Sequence, residues 1–134
     1  MDIKALRQKI LDLAIRGKLV PQDPNDEPVS VLLERIRAEK QQMVKDGKLK
    51  PKDIKNNTII FVGEDNLHYE KFQDGTVKCI EDEIPFELPE GWEWCRFTSV
   101  TVNRDSERKP ISSANRTNVA KIYDYYGASG KIDK

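Results

Sequence analysis

Residue types that could perform chemistry are sparse in this chain, and none of them completes a known catalytic or metal-binding motif. His68 is the only histidine, which excludes a histidine metal cluster and favours a position on the surface of a strand. The two cysteines, Cys79 and Cys95, lack the spacing of metal ligands. Gly127–Gly130 is one residue short of a serine nucleophile elbow, and Gly130-Lys131 does not complete a phosphate-binding loop. We therefore expect no enzyme, no metal site and no cofactor held by the chain itself.

The last part of the chain interleaves cationic, aromatic and small side chains, which is the composition expected of loops that meet DNA. Arg and Lys neutralise phosphates, Arg also reads guanine through two hydrogen bonds, and Gly or Ser lets the backbone approach closely. An alternative interpretation is that the cations are solvated loop charges and the tyrosines belong to the core of a strand. The candidate DNA-binding residues are Arg104, Arg108, Lys109, Arg116, Tyr125, Tyr126, Ser129 and Lys131.

The elements that must position these residues begin with two amphipathic helices. Residues 2–17 carry apolar side chains at alternating three- and four-residue spacings, which is typical of a coiled-coil seam. A second helix is predicted over residues 28–45, after a turn with three prolines. Since two such helices bury little surface alone, we expect an antiparallel hairpin that pairs with a further helix or a second copy. The predicted helix-pairing or subunit-interface positions are Ile3, Leu6, Ile10, Leu13, Leu32, Leu33, Ile36 and Met43.

From residue 56 onwards the hydrophobic period is that of strands. Thr58–Val62 is rich in β-branched residues, and the runs Leu67–Phe72 and Thr76–Ile80 flank an Asp-Gly pair, which predicts a β-hairpin. Residues 84–94, rich in proline and tryptophan, mark the entry into a further domain. The predicted fold class is therefore α+β, with a coiled-coil-like helical hairpin over residues 1–47, a linker and β-hairpin over 48–83, and the beginning of an incomplete β-rich domain over 84–134.

Charge is unevenly distributed along the 134 residues although it sums to zero. Residues 1–55 carry 13 Lys and Arg against 9 Asp and Glu, residues 56–95 carry 2 against 10, and residues 96–134 carry 8 against 4. Such blocks favour separate surfaces with separate partners, and phosphates would repel the acidic middle block. The longest apolar run is too short to cross a membrane and the N-terminus has no secretory signal, so we expect a cytoplasmic protein without a membrane partner.

Two segments resemble the specificity subunits of Type I restriction–modification systems. Leu6–Pro28, continued by residues 30–39, is similar to the helical spacer of that family. Ile84–Trp94 looks like the entry into one of its target recognition domains, and Arg108–Pro110 and Tyr125–Gly130 resemble motifs inside that domain. The resemblance covers nearly the whole chain and is least specific between residues 56 and 83.

The resemblance implies a DNA sequence recognition subunit that performs no chemistry itself. In this family two target recognition domains each read half of a bipartite sequence in double-stranded DNA, and paired helices hold them apart. The implied partners are modification (methyltransferase) subunits, which bind S-adenosylmethionine, and restriction subunits, with self-association through the helices as a further mode. Because whole subunits are much longer, the chain is expected to hold the spacer and the beginning of one recognition domain. The alternative is a helical protein-interaction or oligomerisation module without DNA binding of its own.

Overall fold

The computed structural model describes residues 1–116, 125–127 and 130–133, which fall into two units, Met1–Asn103 and Arg104–Lys134. The elements of the first unit are α1 (Ile3–Ile15), α2 (Val29–Lys45), α3 (Pro51–Ile54), β1 (Ile59–Val62), β2 (His68–Lys71), β3 (Val77–Cys79), a 3-10 helix (Glu81–Glu83) and α4 (Phe97–Val100). Those of the second unit are a 3-10 helix (Asp105–Glu107), α5 (Ser113–Arg116), β4 (Tyr125–Gly127) and β5 (Gly130–Asp133).

The predicted α+β class is confirmed, with N-terminal helices followed by a β-hairpin. The boundaries predicted near residues 47 and 83 both lie inside the first unit. The division into a spacer, a hairpin segment and the start of a recognition domain therefore stays a prediction about function.

Local sequence accounts for the ends of the two long helices. The Asp2 carboxylate accepts hydrogen bonds from the amides of Lys4 and Ala5 in the first turn of α1 and caps that helix. Both helices stop at a glycine with a left-handed backbone, Gly17 at φ +67° and Gly47 at φ +73°. In each case the next amide, that of Lys18 or Lys48, donates at 2.8 Å to the carbonyl five residues earlier. This closure needs a positive φ, which glycine adopts without steric cost.

Helix α1 does not have the side-by-side packing with α2 that the sequence predicts. None of its residues is buried, and the predicted seam positions Ile3, Leu6 and Ile10 are 62%, 47% and 43% exposed. Leu13, nearer the end of the helix, is half-buried. The physical reason is that residues 86–92 lie against the end of α1, whereas α2 packs against α3 and α4.

Helix α2 packs instead against α3 and α4. Its half-buried apolar positions Leu33, Ile36 and Met43 recur at the spacing of one helix face, whereas Leu32 is exposed at the margin of that face. The apolar stripe predicted for α2 therefore exists, and the chain's own short helices cover part of it.

Strands β1, β2 and β3 form an antiparallel meander in that spatial order. Gly75, at φ +87°, follows Asp74 in the turn between β2 and β3, and the Asp74 carboxylate accepts hydrogen bonds from the amide and hydroxyl of Thr76. The Asp-Gly pair thus forms the hairpin turn expected of it.

The apolar core of the first unit is small. Among the described residues, Leu49 and Ile80 are the apolar side chains that are buried, at 9% and 1% exposure. Lys40 and Glu70 are buried to a similar extent. Because so little apolar area is covered, specific polar contacts must help to set the relative positions of the elements in this unit.

We expect Ile80→Ala to lower the free energy of unfolding by about 2–4 kcal/mol, because it opens a cavity at the centre of the small core. The measurement is urea unfolding of the 134-residue chain. Ile59→Ala is the matched control, since Ile59 is partly exposed on β1, and it should cost less than about 1 kcal/mol. Equal losses from the two variants would contradict a core centred on Ile80.

Candidate functional site

The end of α1 lies against the proline- and tryptophan-rich segment. The Arg16 guanidinium lies over the ring of Phe86, 5.0 Å from its centroid, and its Nε also donates to the Asp12 carboxylate at 2.8 Å. A Cβ at Gly17 would approach Pro89 Cγ to 2.8 Å, so the close contact here requires glycine for a steric reason as well as for its φ.

The turn between α1 and α2 is tied to the same segment by two hydrogen bonds. The indole Nε1 of Trp92 donates to Oε1 of Gln22 at 2.8 Å, and the amide of Val29 donates to the carbonyl of Gly91 at 3.0 Å. Residues 86–92 thus hold the end of α1 and the start of α2. The structure gives this segment a positioning role between the helices, in addition to its place before the second unit.

The outward face of α1 is apolar and has no extensive packing partner in the part of the chain that the structure describes. It includes the seam positions Ile3, Leu6 and Ile10, and Leu11 and Ile15 widen it. An exposed apolar stripe at helical spacing is a typical surface for binding another helix. The helix-pairing role of these positions stays a prediction.

An ion pair between a buried carboxylate, Glu70, and a partly exposed guanidinium, Arg96, connects the meander to the segment before α4. Arg96 donates from Nε and Nη2 to the two carboxylate oxygens of Glu70, at 3.0 and 2.7 Å, and the hydroxyl of Thr58 also donates to Glu70. The Arg96 hydrogen bond is the main reason that the pKa of Glu70 lies below its ordinary value, against the opposing effect of burial. Two parallel N–H···O bonds fix orientation as well as distance.

The ion pair extends towards the 3-10 helix that follows β3. Arg96 Nη1 lies 2.8 Å from the Glu83 carboxylate, and Lys78 Nζ lies 3.5 Å from it on the other side. His68, on β2 as expected, donates its backbone amide to Glu81 and places Nδ1 2.7 Å from the same oxygen. Glu81 and Glu83 are thus both paired with basic side chains. Among residues 1–116, no group of His, Cys, Asp and Glu side chains is arranged to hold a metal ion.

A second buried polar contact connects α2 to α4. Lys40 Nζ donates to the carbonyl of Thr98 at 2.7 Å, and burial lowers the pKa of Lys40. The amide of Asn57 satisfies both neighbours when its oxygen faces Lys40 Nζ at 3.3 Å and its nitrogen faces the Thr98 carbonyl at 3.2 Å. The meander, α2 and α4 are therefore joined through polar side chains.

The predicted DNA-binding residues belong to the second unit. Arg104, Arg108 and Lys109 are exposed, and Arg104 Nε lies 3.7 Å from the Glu107 carboxylate in a surface pair of little energetic weight. Arg108 follows directly after the 3-10 helix. These three residues lie outside regular elements, as expected of a loop, but the 3-10 helix Asp105–Glu107 separates Arg104 from the other two.

The remaining predicted DNA-binding residues lie further along the second unit. Arg116 is the last residue of α5, Tyr125 and Tyr126 lie on β4, and Lys131 lies on β5 opposite Tyr126 in the ladder. Ser129 lies outside the described residues. The two tyrosines lie on a strand, as the alternative interpretation expected, and the position of Lys131 on β5 corrects the expectation of a loop for that residue.

Comparison with known proteins finds two curated relatives, both from Escherichia coli. The chain is 49% identical over 102 residues to the Type I restriction enzyme EcoEI specificity subunit and 48% identical over 99 residues to the EcoAI specificity subunit. This chain matches a segment of Type I specificity subunits. The resemblance predicted from the two sequence segments is thereby confirmed. No family model and no solved structure matches.

The match to the specificity subunits is extensive in this chain and short in the relatives. It covers 75% and 74% of this chain but 14% and 13% of the two relatives. Because the second unit has 31 residues, most of the aligned residues must lie in the first unit, Met1–Asn103. In the described part of this specificity-subunit segment, no helix is both long and apolar enough to cross a bilayer.

We expect Arg96→Leu to lower the free energy of unfolding by about 1–3 kcal/mol, because the buried Glu70 carboxylate would keep only the Thr58 hydroxyl as a donor. The double variant Glu70→Leu with Arg96→Leu should lose less than the sum of the two single variants, since no uncompensated charge remains. The measurement is urea unfolding of all three variants at neutral pH. Arg35→Leu, which breaks the exposed pair with Glu27, is the control and should cost less than about 1 kcal/mol.

The pH dependence of unfolding provides a second check on the same pair. Since the folded-state pKa of Glu70 is depressed, its contribution is present above the unfolded-state pKa and is lost as the pH falls through the folded-state pKa. Glu70→Gln should therefore reduce the loss of stability on acidification below the ordinary glutamate pKa of 4.5. If the free energy of unfolding of this variant falls on acidification as much as that of the original chain, other carboxylates control acid unfolding.

Proposed function

We propose that this chain is a segment of a non-catalytic Type I specificity subunit, the component that recognises DNA for a restriction–modification complex. The observation that carries the proposal is the 49% identity over 102 residues to a specificity subunit. The chain spans 14% of that relative's length, so it would supply one helical element and the beginning of one target recognition domain. The remainder of the recognition machinery would lie elsewhere in the full-length protein.

The helical part of the proposed function is supported by the exposed face of α1. Ile3, Leu6 and Ile10 lie in a row without a partner in the first unit, and a surface of this kind binds another amphipathic helix. The occupants that fit the proposal are a spacer helix from elsewhere in the specificity subunit and the modification subunits docked on that spacer. Self-association of two chains through α1 is a further mode.

The DNA-reading part of the proposed function is supported by the charge of the second unit. Arg108 and Lys109 are exposed and have no ion pair among the described residues. The acidic block of residues 56–95 belongs to the first unit, where it would repel phosphates. The DNA contact is therefore assigned to the second unit, with Arg104, Arg116, Tyr125, Tyr126, Ser129 and Lys131 as its further members.

The chemistry of the complex is assigned to partners in this proposal. S-adenosylmethionine would be bound by the modification (methyltransferase) subunits, and restriction subunits would cleave the DNA in the cytoplasm. The specificity subunit would contribute position: it would hold the enzymes at a distance and orientation set by its recognition domains. No cofactor is assigned to the chain itself.

We expect the 134-residue chain to bind a random-sequence DNA duplex with an affinity that depends steeply on salt. If Arg104, Arg108 and Lys109 each contact a phosphate, the affinity should fall about 40-fold between roughly 50 and 200 mM salt. Arg108→Ala should reduce the slope of log affinity against log salt by about 1. The measurement is fluorescence anisotropy of a labelled duplex over that range of salt concentrations.

The matched control for the DNA experiment is Lys48→Ala. Lys48 is an exposed cation between α2 and α3, so its removal changes the net charge equally and should leave the salt slope unchanged. A chain that does not bind the duplex at low salt would count against DNA contact by this segment. The helical interaction module without DNA binding would then be the better description.

We expect the face of α1 to be required for capture of the modification subunit of the same system. Ile10→Glu places a charge in the middle of the apolar face and should abolish co-purification of the two proteins, because an unpaired buried charge is strongly disfavoured. Lys9→Glu changes a neighbouring exposed position on the same helix and should leave capture intact. Retention of the partner by the Ile10 variant would show that α1 is not the docking surface.

A further inference from the structure

The first strand of the meander has a free edge. In the order β1-β2-β3, β1 pairs only with β2 among the strands that the structure describes. The Gly63 amide donates to the Leu67 carbonyl at 2.9 Å at the end of this ladder. Because hydrogen-bonded pairs alternate along an antiparallel ladder, Ile59 and Phe61 direct their backbone groups towards β2. The backbone N–H and C=O groups of Ile60 and Val62 must therefore point away from the sheet.

The residue before β1 shows that this edge forms hydrogen bonds with polar groups. Thr58 also points its backbone outward, and the Ser99 hydroxyl both accepts from the Thr58 amide and donates to its carbonyl, at 3.2 Å each. The next two outward positions, Ile60 and Val62, have no such partner in the described part of the chain. Two amides and two carbonyls, about 7 Å apart along the strand, thus remain open to an incoming strand.

This free edge faces a groove of about 750 Å³ that lies wholly within the first unit. One wall is β1, a second is the N-terminal half of α2, including Leu33, and a third is the segment 87–95 with its two tryptophans. The Nε1 of Trp94 is a buried donor with no hydrogen-bond partner among the described residues. Aromatic and aliphatic walls beside an open strand edge are the setting in which a peptide binds by strand addition.

The charge of the groove indicates the chemistry of its occupant. Glu34, Glu87 and Glu93 line it together with one cation, Arg37. None of these four side chains forms an ion pair with another described residue. An occupant with cationic side chains would match this excess of carboxylates, whereas a polynucleotide would be repelled. A second copy of the acidic block would be repelled for the same reason, since residues 56–95 carry 10 Asp and Glu against 2 Lys and Arg.

We propose that an extended, basic segment of a partner protein binds in this groove and adds to β1 as a fourth strand of the meander. Its backbone would pair with the open groups of Ile60 and Val62. Alternate side chains would lie against Trp92 and Trp94, and its cations would face Glu87 and Glu93. This binding site is distinct from the DNA-binding residues of the second unit and from the exposed face of α1, so it does not depend on the proposed function.

The test is a titration of the 134-residue chain with a peptide of about 7 residues in which valine and lysine alternate, followed by amide NMR chemical shifts. We expect the largest changes at Ile60 and Val62 and weaker binding of the matched valine–glutamate peptide. Val62→Pro removes one outward amide without removing a bond of the β1–β2 ladder. It should weaken binding about threefold to tenfold, the effect of one lost hydrogen bond.

The matched control is Val77→Pro, which removes an outward amide from β3 at the opposite edge of the same sheet and should leave binding unchanged. Glu93→Lys tests the charge requirement without altering the strand and should weaken binding of the lysine peptide. The proposal is overturned by absence of binding up to millimolar peptide, by equal affinity for the two peptides, or by shifts confined to Val77 and Cys79. Self-association of the chain that Val62→Pro abolishes would also overturn it, because the occupant would then be a second copy.

Discussion

The ion pair between Glu70 and Arg96 is the constraint on which the first unit depends. Glu70 lies on the central strand of the meander and Arg96 directly before α4, so their two parallel hydrogen bonds join elements far apart along the chain. Desolvation makes the free energy gained from such a pair small, but the cost of leaving Glu70 unpaired is large. The two bonds fix how the central strand lies against the segment before α4.

This dependence on polar contacts follows from the small amount of apolar area that the unit buries. With Leu49 and Ile80 as its buried apolar side chains, the first unit has little hydrophobic burial to set the positions of its elements. Lys40 and its carbonyl partner on Thr98 perform the same role between α2 and α4. Apolar residues that a larger core would cover remain on the surface, on α1 and along the edge of β1, where they are available to other proteins.

The distribution of surfaces agrees with the positioning role proposed above. Helix α1 presents an apolar face, the meander and the segment 87–95 present an acidic groove, and the second unit carries exposed cations such as Arg108. In the proposals above, each surface has a partner of different chemistry: a helix, a basic peptide strand and DNA. Binding energy and specificity would come from several contacts at separate places, which is how a non-catalytic protein can organise a larger complex.

The sequence by itself determined the features that depend on neighbouring residues: the helix stops at Gly17 and Gly47, the hairpin at Asp74-Gly75 and the resemblance to specificity subunits. The tertiary structure decided which faces meet. An amphipathic stripe shows that α1 has a face to cover but does not specify the partner. The expected side-by-side pairing with α2 rested on that stripe and on the paired helices of the family that the sequence resembles. The contacts between Glu70 and Arg96, 26 residues apart, and between Trp92 and Gln22, 70 apart, leave no periodic signal, because only the folded chain brings their elements together.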